Sequence, residues 1–232
     1  MKKTLLIILA FLTAGAVKAQ TEHRTALYLN AGLEKEFLSV LSGGVSVEGR
    51  FCDTKTKDLM LKPYLEYSPV KFFTFGVDYR LDFNKEDGED SKRIGRLGLT
   101  AKLKYNFKGF RPEFSLKYNN YNEDYVVNSE EKAKQYLRPK FQLGYRIKSW
   151  KLTPYVSYEW FYNFPRDLVD KDRWCFGVKK KFNKVHNFTF EYRLYEKFNR
   201  VNDKGTKVKN DIAENIFLIG YKYVFPYKQK GE

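Results

Sequence analysis

Residues 71–84 read KFFTFGVDYRLDFN. Phe73, Phe75, Val77, Tyr79, Leu81 and Phe83 share one parity, and Thr74, Gly76, Asp78, Arg80 and Asp82 share the other. Successive side chains of a β-strand point to opposite faces, so a strict period of two marks a strand between unlike surroundings. The stretch fixes the element but leaves its orientation open. Apolar inside gives a soluble sandwich or lipocalin-like barrel; apolar outside gives a barrel with an aqueous or charged lumen.

The same alternation recurs along the chain. It is found in ALYLNAGLE (26–34), GVSVEGRF (44–51), LMLKPYLEY (59–67), LTAKLKYNF (99–107), RPEFSLKY (111–118) and LRPKFQLGYRI (137–147). LTPYVSYEWFY (152–162), WCFGVKKKF (174–182), FTFEYRL (188–194) and NIFLIGYKYVF (215–225) complete eleven strand-like segments. No window sustains a 3.6-residue period, so the chain is all-β. Short turns at SPVK, KGF, KSWK and NKVHN alternate with long polar loops at 84–93, 119–134, 163–173 and 199–211. That rhythm predicts an antiparallel up-and-down meander of hairpins. Single-chain bacterial barrels have an even number of strands, so ten or twelve are expected, within a broader range of 10–12. The miscount is placed at EKEFLSVLSG (34–43), where the alternation breaks.

The first residues, MKKTLLIILAFLTAGAVKAQ, read as a cleaved signal peptide over 1–19, leaving one domain over 20–232. Lys2 and Lys3 precede an apolar run too short to span a bilayer as a helix, and Val17-Lys18-Ala19 is a small-x-small cleavage site. Cleavage removes three lysines and no acid, taking the formal charge from +15 to +12. The basic residues are spread over every segment and not gathered in a stripe, which argues against nucleic acid. Cys52 and Cys175 form no CxxC and no disulfide framework; they are expected to remain thiols.

Orientation follows from the aromatic load of 20 Phe, 18 Tyr and 3 Trp beside 31 % charged residues. An apolar stripe on nearly every segment matches strands crossing hydrocarbon at a tilt. Eleven such stripes would overfill the interior of a small soluble barrel. The expectation is therefore a transmembrane β-barrel in the outer membrane of a Gram-negative bacterium, with short periplasmic turns and long extracellular loops. The closing strand aligns Phe217, Ile219, Tyr221, Tyr223 and Phe225, as in the terminal strand by which the barrel insertion machinery recognises its clients, although PYKQKGE extends past Phe225.

On this reading the polar parity lines the lumen. It carries acids at Glu34, Glu48, Glu66, Asp78, Asp82, Glu113, Glu159 and Glu191. It carries bases at Arg50, Lys62, Arg80, Lys102, Lys104, Arg111, Lys117, Arg138, Lys140, Arg146, Lys179, Lys181, Arg193 and Lys222. Pairing is expected between Glu48 and Arg50, Lys62 and Glu66, Asp78, Arg80 and Asp82, Glu113 and Lys117, and Glu191 and Arg193, because a lone buried charge is costly. The excess of bases favours small anionic solutes if the lumen is open. Lys71, Lys108, Lys148, Lys151 and Lys184 on the short turns are placed to meet anionic lipid headgroups.

Catalytic chemistry finds little support. His23 lies in the leading arm and His186 in a short turn, both read as solvated and away from any nucleophile. The loop NKEDGEDSK lacks the EF-hand spacing. No catalytic residue, cofactor or metal is expected. The hairpins LGYRIKSWKLTPYVSYEWFYN (143–163) and FGVKKKFNKVHNFTFEYRLY (176–195), with GYKYVF (220–225), resemble a family of uncharacterised outer-membrane barrels common in Bacteroidetes, a domain-of-unknown-function family. The resemblance implies an outer-membrane barrel and supplies no catalytic residues. The expected role is a structural barrel or narrow, porin-like pore with weak anion preference. The alternative is an enzyme or surface-binding module acting through the long loops.

Overall fold

A computed structural model of the chain describes residues 22–52, 57–85, 92–122, 135–183, 185–197, 200–201, 207–209 and 212–227. Residues 1–19, expected above to form a signal peptide, and most of the acidic loop near residue 88 lie outside the described residues. Ten strands follow in order: β1 (Glu22–Leu38), β2 (Leu41–Cys52), β3 (Lys57–Val70), β4 (Phe73–Lys85), β5 (Lys92–Lys104), β6 (Phe110–Asn122), β7 (Gln135–Tyr145), β8 (Leu152–Asn163), β9 (Leu168–Phe182) and β10 (His186–Lys197). A two-stranded ribbon, β11 (Arg200–Val201) with β12 (Lys207–Lys209), precedes β13 (Ile212–Phe225). The ribbon apart, each strand pairs antiparallel with its neighbour in sequence, and β13 returns to β1 to close the barrel.

The wall has eleven strands, not ten or twelve. In an up-and-down meander an odd number leaves the first and last strands pointing the same way. Closure is accordingly parallel, with Glu22 beside Ile212 and Lys35 beside Phe225. The broken alternation at 34–43 is the first hairpin: the register shifts between Glu36 and Leu38, and β2 starts at Leu41. With a strand spacing of about 4.8 Å and a tilt near 40°, eleven strands close at a backbone radius of about 11 Å. Arg, Lys and Tyr side chains span most of that distance, so the interior is narrow.

The short turns gather at one end; at the other, the long loop expected over 163–173 shortens to residues 164–167, because β9 already begins at Leu168. Lys108 and Gly109 both have positive φ (46° and 94°), and Phe107 and Phe110 exchange backbone hydrogen bonds across them. This is a type I′ hairpin turn, whose twist matches that of the flanking strands. Lys151 (φ 53°) closes the β7–β8 turn and Asn183 (φ 52°) begins the β9–β10 turn. At the loop end a 3₁₀ turn, Phe164–Arg166, joins β8 to β9 and ends on left-handed Asp167.

The two faces differ sharply. Phe75, Phe141, Phe176, Phe190 and Phe217 are each about half exposed, as are Leu and Val residues of the same parity around the wall. The opposite parity holds the buried positions: Ser46, Thr74, Asp82, Ser115, Ser157 and Glu159. Contacts that skip a strand identify that face as the concave one. Phe161 of β8 meets Tyr195 of β10 edge-on at 5.6 Å, and Lys117 of β6 reaches Asp78 of β4. On a convex surface such side chains splay apart.

Candidate functional site

The lumen divides along its axis. In the loop-side half, charge is paired almost residue for residue. Asp82, 3 % exposed, receives Arg80 at 2.7 Å and Arg96 at 2.9 Å. Arg50 bonds Glu48 at 2.9 Å and stacks over Tyr28 at 4.5 Å. Glu159 is held between Arg138, at 2.9 Å, and Arg173, and both guanidiniums face the Phe161 ring. Glu191 takes Arg193 and the Tyr155 hydroxyl. Beside these pairs Ala26, Tyr28, Ile216 and Leu218 form a small apolar cluster. This half is filled by side chains.

The pairings correct the sequence expectation in a regular way. The i, i+2 pairs Glu48–Arg50, Arg80–Asp82 and Glu191–Arg193 form. Lys62–Glu66 and Glu113–Lys117 do not: Glu66 pairs with Lys102, Glu113 lies 4.0 Å from Lys104, and Lys117 pairs with Asp78 at 2.6 Å. Lys62 instead lies over the Tyr64 ring at 6.0 Å. Residues two apart on a strand are about 7 Å apart on one face, and residues four apart about 13 Å, beyond the reach of a direct ion pair. Asp78 consequently leaves the proposed Asp78–Arg80–Asp82 ladder for a partner two strands away.

Glycines make this packing fit. An added Cβ at Gly177 lies 2.4 Å from the Tyr155 ring, and one at Gly98 lies 2.7 Å from the Asp78 carboxylate and the Lys117 chain. Both strands surrender a side chain so that a partner can lie across the backbone.

The turn-side half is different. A cavity of about 1210 Å³ opens there, reaching inward to Gln142, Tyr155 and Thr189. Lys104, Arg111, Arg146, Lys148, Lys151, Lys179, Lys180, Lys181 and Lys222 line it, against Glu34, Glu36 and Glu113. None of the paired residues from Glu48, Asp82 or Glu159 onward touches it. Lys140, between the two halves on β7, is half-buried.

His186 is not a solvated turn residue. It opens β10, its Nδ1 lies 2.9 Å from the Tyr221 hydroxyl, and its ring meets Tyr221 and Tyr223 on the outer face. His23 is exposed on β1. Cys52 and Cys175 are not joined by a disulfide. Among the described residues no three His, Cys, Asp or Glu side chains converge as a metal site.

Residues 25–209 match the family described as "Protein of unknown function (DUF2490)". The chain belongs to that family. No curated protein matches this DUF2490 barrel. A solved chain described as "Unveiling the Mechanism Behind the in-meso Crystallization of Membrane Proteins" is similar at 15 % identity and a TM-score of 0.39, over 75 % of this chain and 77 % of that one. Similarity at that level carries no argument. The chemistry of the DUF2490 barrel is thus read from its own two half-lumens.

Proposed function

We propose that this chain is an integral β-barrel of a Gram-negative outer membrane, exported by a cleaved signal peptide, whose lumen rests closed and receives anions from the turn side. The observation that carries the reading is the outward face. Half-exposed Phe, Leu, Val and Ile residues cover the wall, and aromatics ring its two ends, where headgroups meet hydrocarbon. Tyr105, Phe107 and Trp150 lie at the turn end, Trp150 at 68 % exposure; Phe51 and Phe164 lie at the loop end. Apolar surface of this extent is foreign to a soluble monomer, and aromatic belts are the pattern of lipid-embedded barrels. Lipids of the membrane and its insertion machinery are then the partners, and the short turns are periplasmic.

The packed loop-side half argues for a structural, closed barrel over a standing pore. The reading carries no catalytic role: neither histidine neighbours a nucleophile in the lumen, and the paired carboxylates are already neutralised. A planar-bilayer recording with a salt gradient tests it. Wild-type protein is expected to give no steady conductance. Opening the seal with Glu159→Ala/Arg173→Ala is expected to give channel events with an anion-selective reversal potential. A steady ohmic pore in the wild type, or cation selectivity in the opened variant, contradicts the reading.

A further inference from the structure

We infer that the turn-side vestibule is a binding site for a multiply charged phosphate group. The argument starts from its acids, all of which are engaged. Glu34 accepts hydrogen bonds from Lys222 at 2.5 Å and the Tyr64 hydroxyl at 2.6 Å. Glu36 accepts the Tyr227 backbone N–H at 3.1 Å. Glu113 stands 4.0 Å from Lys104. That leaves Arg111, Arg146, Lys148, Lys151, Lys179 and Lys181 around one cavity, and among the described residues none of the six is within ion-pair distance of an acid.

The fold forces these charges together. Arg111 pairs across the ladder with Gly144, and the Arg146 N–H bonds the Gly109 carbonyl at 2.8 Å, so the two guanidiniums arise from neighbouring segments two register steps apart, Arg146 just past the end of β7. The Lys181 N–H bonds the Lys151 carbonyl at 3.3 Å. Lys179, two residues deeper, is fixed over the Tyr155 ring at 4.5 Å. The cations thus form an arc on one wall, a fork-like pair at one end and ammonium groups at the other. Like charges gathered in excess of the acids raise the energy of the empty site, and a ligand of charge about −3 or −4 relieves it. Guanidinium pairs match tetrahedral phosphate oxygens with parallel hydrogen bonds, and lysines add point charge.

The inference rests on the membrane reading for its two sources, because both reach the vestibule from the turn side. One is a lipid headgroup of the adjoining leaflet, next to exposed Trp150; the other is a free diphosphate-type solute. Inorganic pyrophosphate is the probe, titrated calorimetrically into the barrel in phosphatidylcholine nanodiscs. Saturable binding is expected, weakened about tenfold or more in Arg111→Gln/Arg146→Gln. It is expected to change by less than about twofold in Lys71→Gln/Lys108→Gln, which removes equal charge from turns outside the cavity. Repeating the titration in phosphatidylglycerol nanodiscs separates the sources. A lipid occupant competes and lowers pyrophosphate affinity there, and the arginine variant removes the difference; a free solute binds equally in both. Absence of saturable binding, or equal weakening by both double variants, overturns the site. Heat-modifiable gel mobility of the wild type keeps the failures apart: an intact barrel that does not bind refutes the site alone, and a chain without such mobility refutes the membrane reading.

Discussion

The two halves of the lumen are built from the same residue types on the same strands, yet they treat charge in opposite ways. Around Asp82 and Glu159 each carboxylate is clasped by two guanidiniums, and those at Glu159 face the Phe161 ring. Around Arg111 and Lys179 the cations outnumber the acids and face a cavity of about 1210 Å³. The difference teaches that the net basic balance of the interior is not a uniform property. It is concentrated where desolvation is weakest, at the turn end, and cancelled where the wall is packed. A charge excess costs least where solvent or a ligand supplies the compensation.

Substitutions that remove charge from each half are the sharpest way to break this comparison. The largest effect is expected at Glu159, 4 % exposed. Glu159→Gln leaves Arg138 and Arg173 facing each other without a counter-ion, and the loss of one member of a buried pair typically costs about 3–5 kcal/mol. Urea unfolding in detergent, followed by the heat-modifiable band, reads it as a clear fall in midpoint. A midpoint unchanged from wild type contradicts the packed-half description.

Next in size is Gly177→Val. The new side chain occupies the place of the Tyr155 ring, which must leave Glu191. Overpacking of this kind costs about 1–3 kcal/mol. The companion Tyr155→Ala/Gly177→Val is expected to recover part of that loss, which separates steric conflict from a general weakness of β9. Smallest is Lys179→Gln in the open half, expected to shift stability by no more than about 0.5 kcal/mol. If Lys179→Gln destabilises as much as Glu159→Gln, the two halves are not distinct and the vestibule is part of the packed structure.

Much of the wall was legible because period two survives inspection one strand at a time. Every alternating segment overlaps a strand, LTAKLKYNF and LRPKFQLGYRI running two or three residues past theirs, and LTPYVSYEWFY matches β8 to within a residue at its end. The count of eleven segments was right as well, and the even-number expectation displaced it, because the parallel meeting of β1 with β13 that an odd count requires leaves no local pattern. Alternation also assigns a residue to a face without saying whom it meets there. Glu48–Arg50, Arg80–Asp82 and Glu191–Arg193 paired as expected, whereas Asp78, Glu66 and Lys117 found partners on other strands, which only the register decides. The apolar lumen residues Ile216 and Leu218 were hidden in a segment that is apolar on both faces. His186 stood one residue from where strand and turn divide, a boundary that composition does not mark.

The vestibule was partly foreshadowed by the basic excess of the polar parity, but its position was not. Arg111 on β6, Arg146 just past β7, and Lys179 and Lys181 on β9 are separated by long stretches of sequence, and their convergence follows from turn placement and stagger. No single window contains it.

The central claim concerns which face of the wall meets lipid, and β4 tests it residue by residue. In a Cys52→Ala/Cys175→Ala background, spin labels placed singly at positions 73 to 83 are measured in bilayers for collisions with oxygen, which concentrates in lipid, and with a water-soluble nickel chelate. The account predicts high oxygen and low nickel accessibility at Phe75, Val77, Tyr79 and Leu81, and low accessibility to both at Asp78 and Asp82. Nickel contact along the odd positions, or oxygen contact along the even ones, contradicts it.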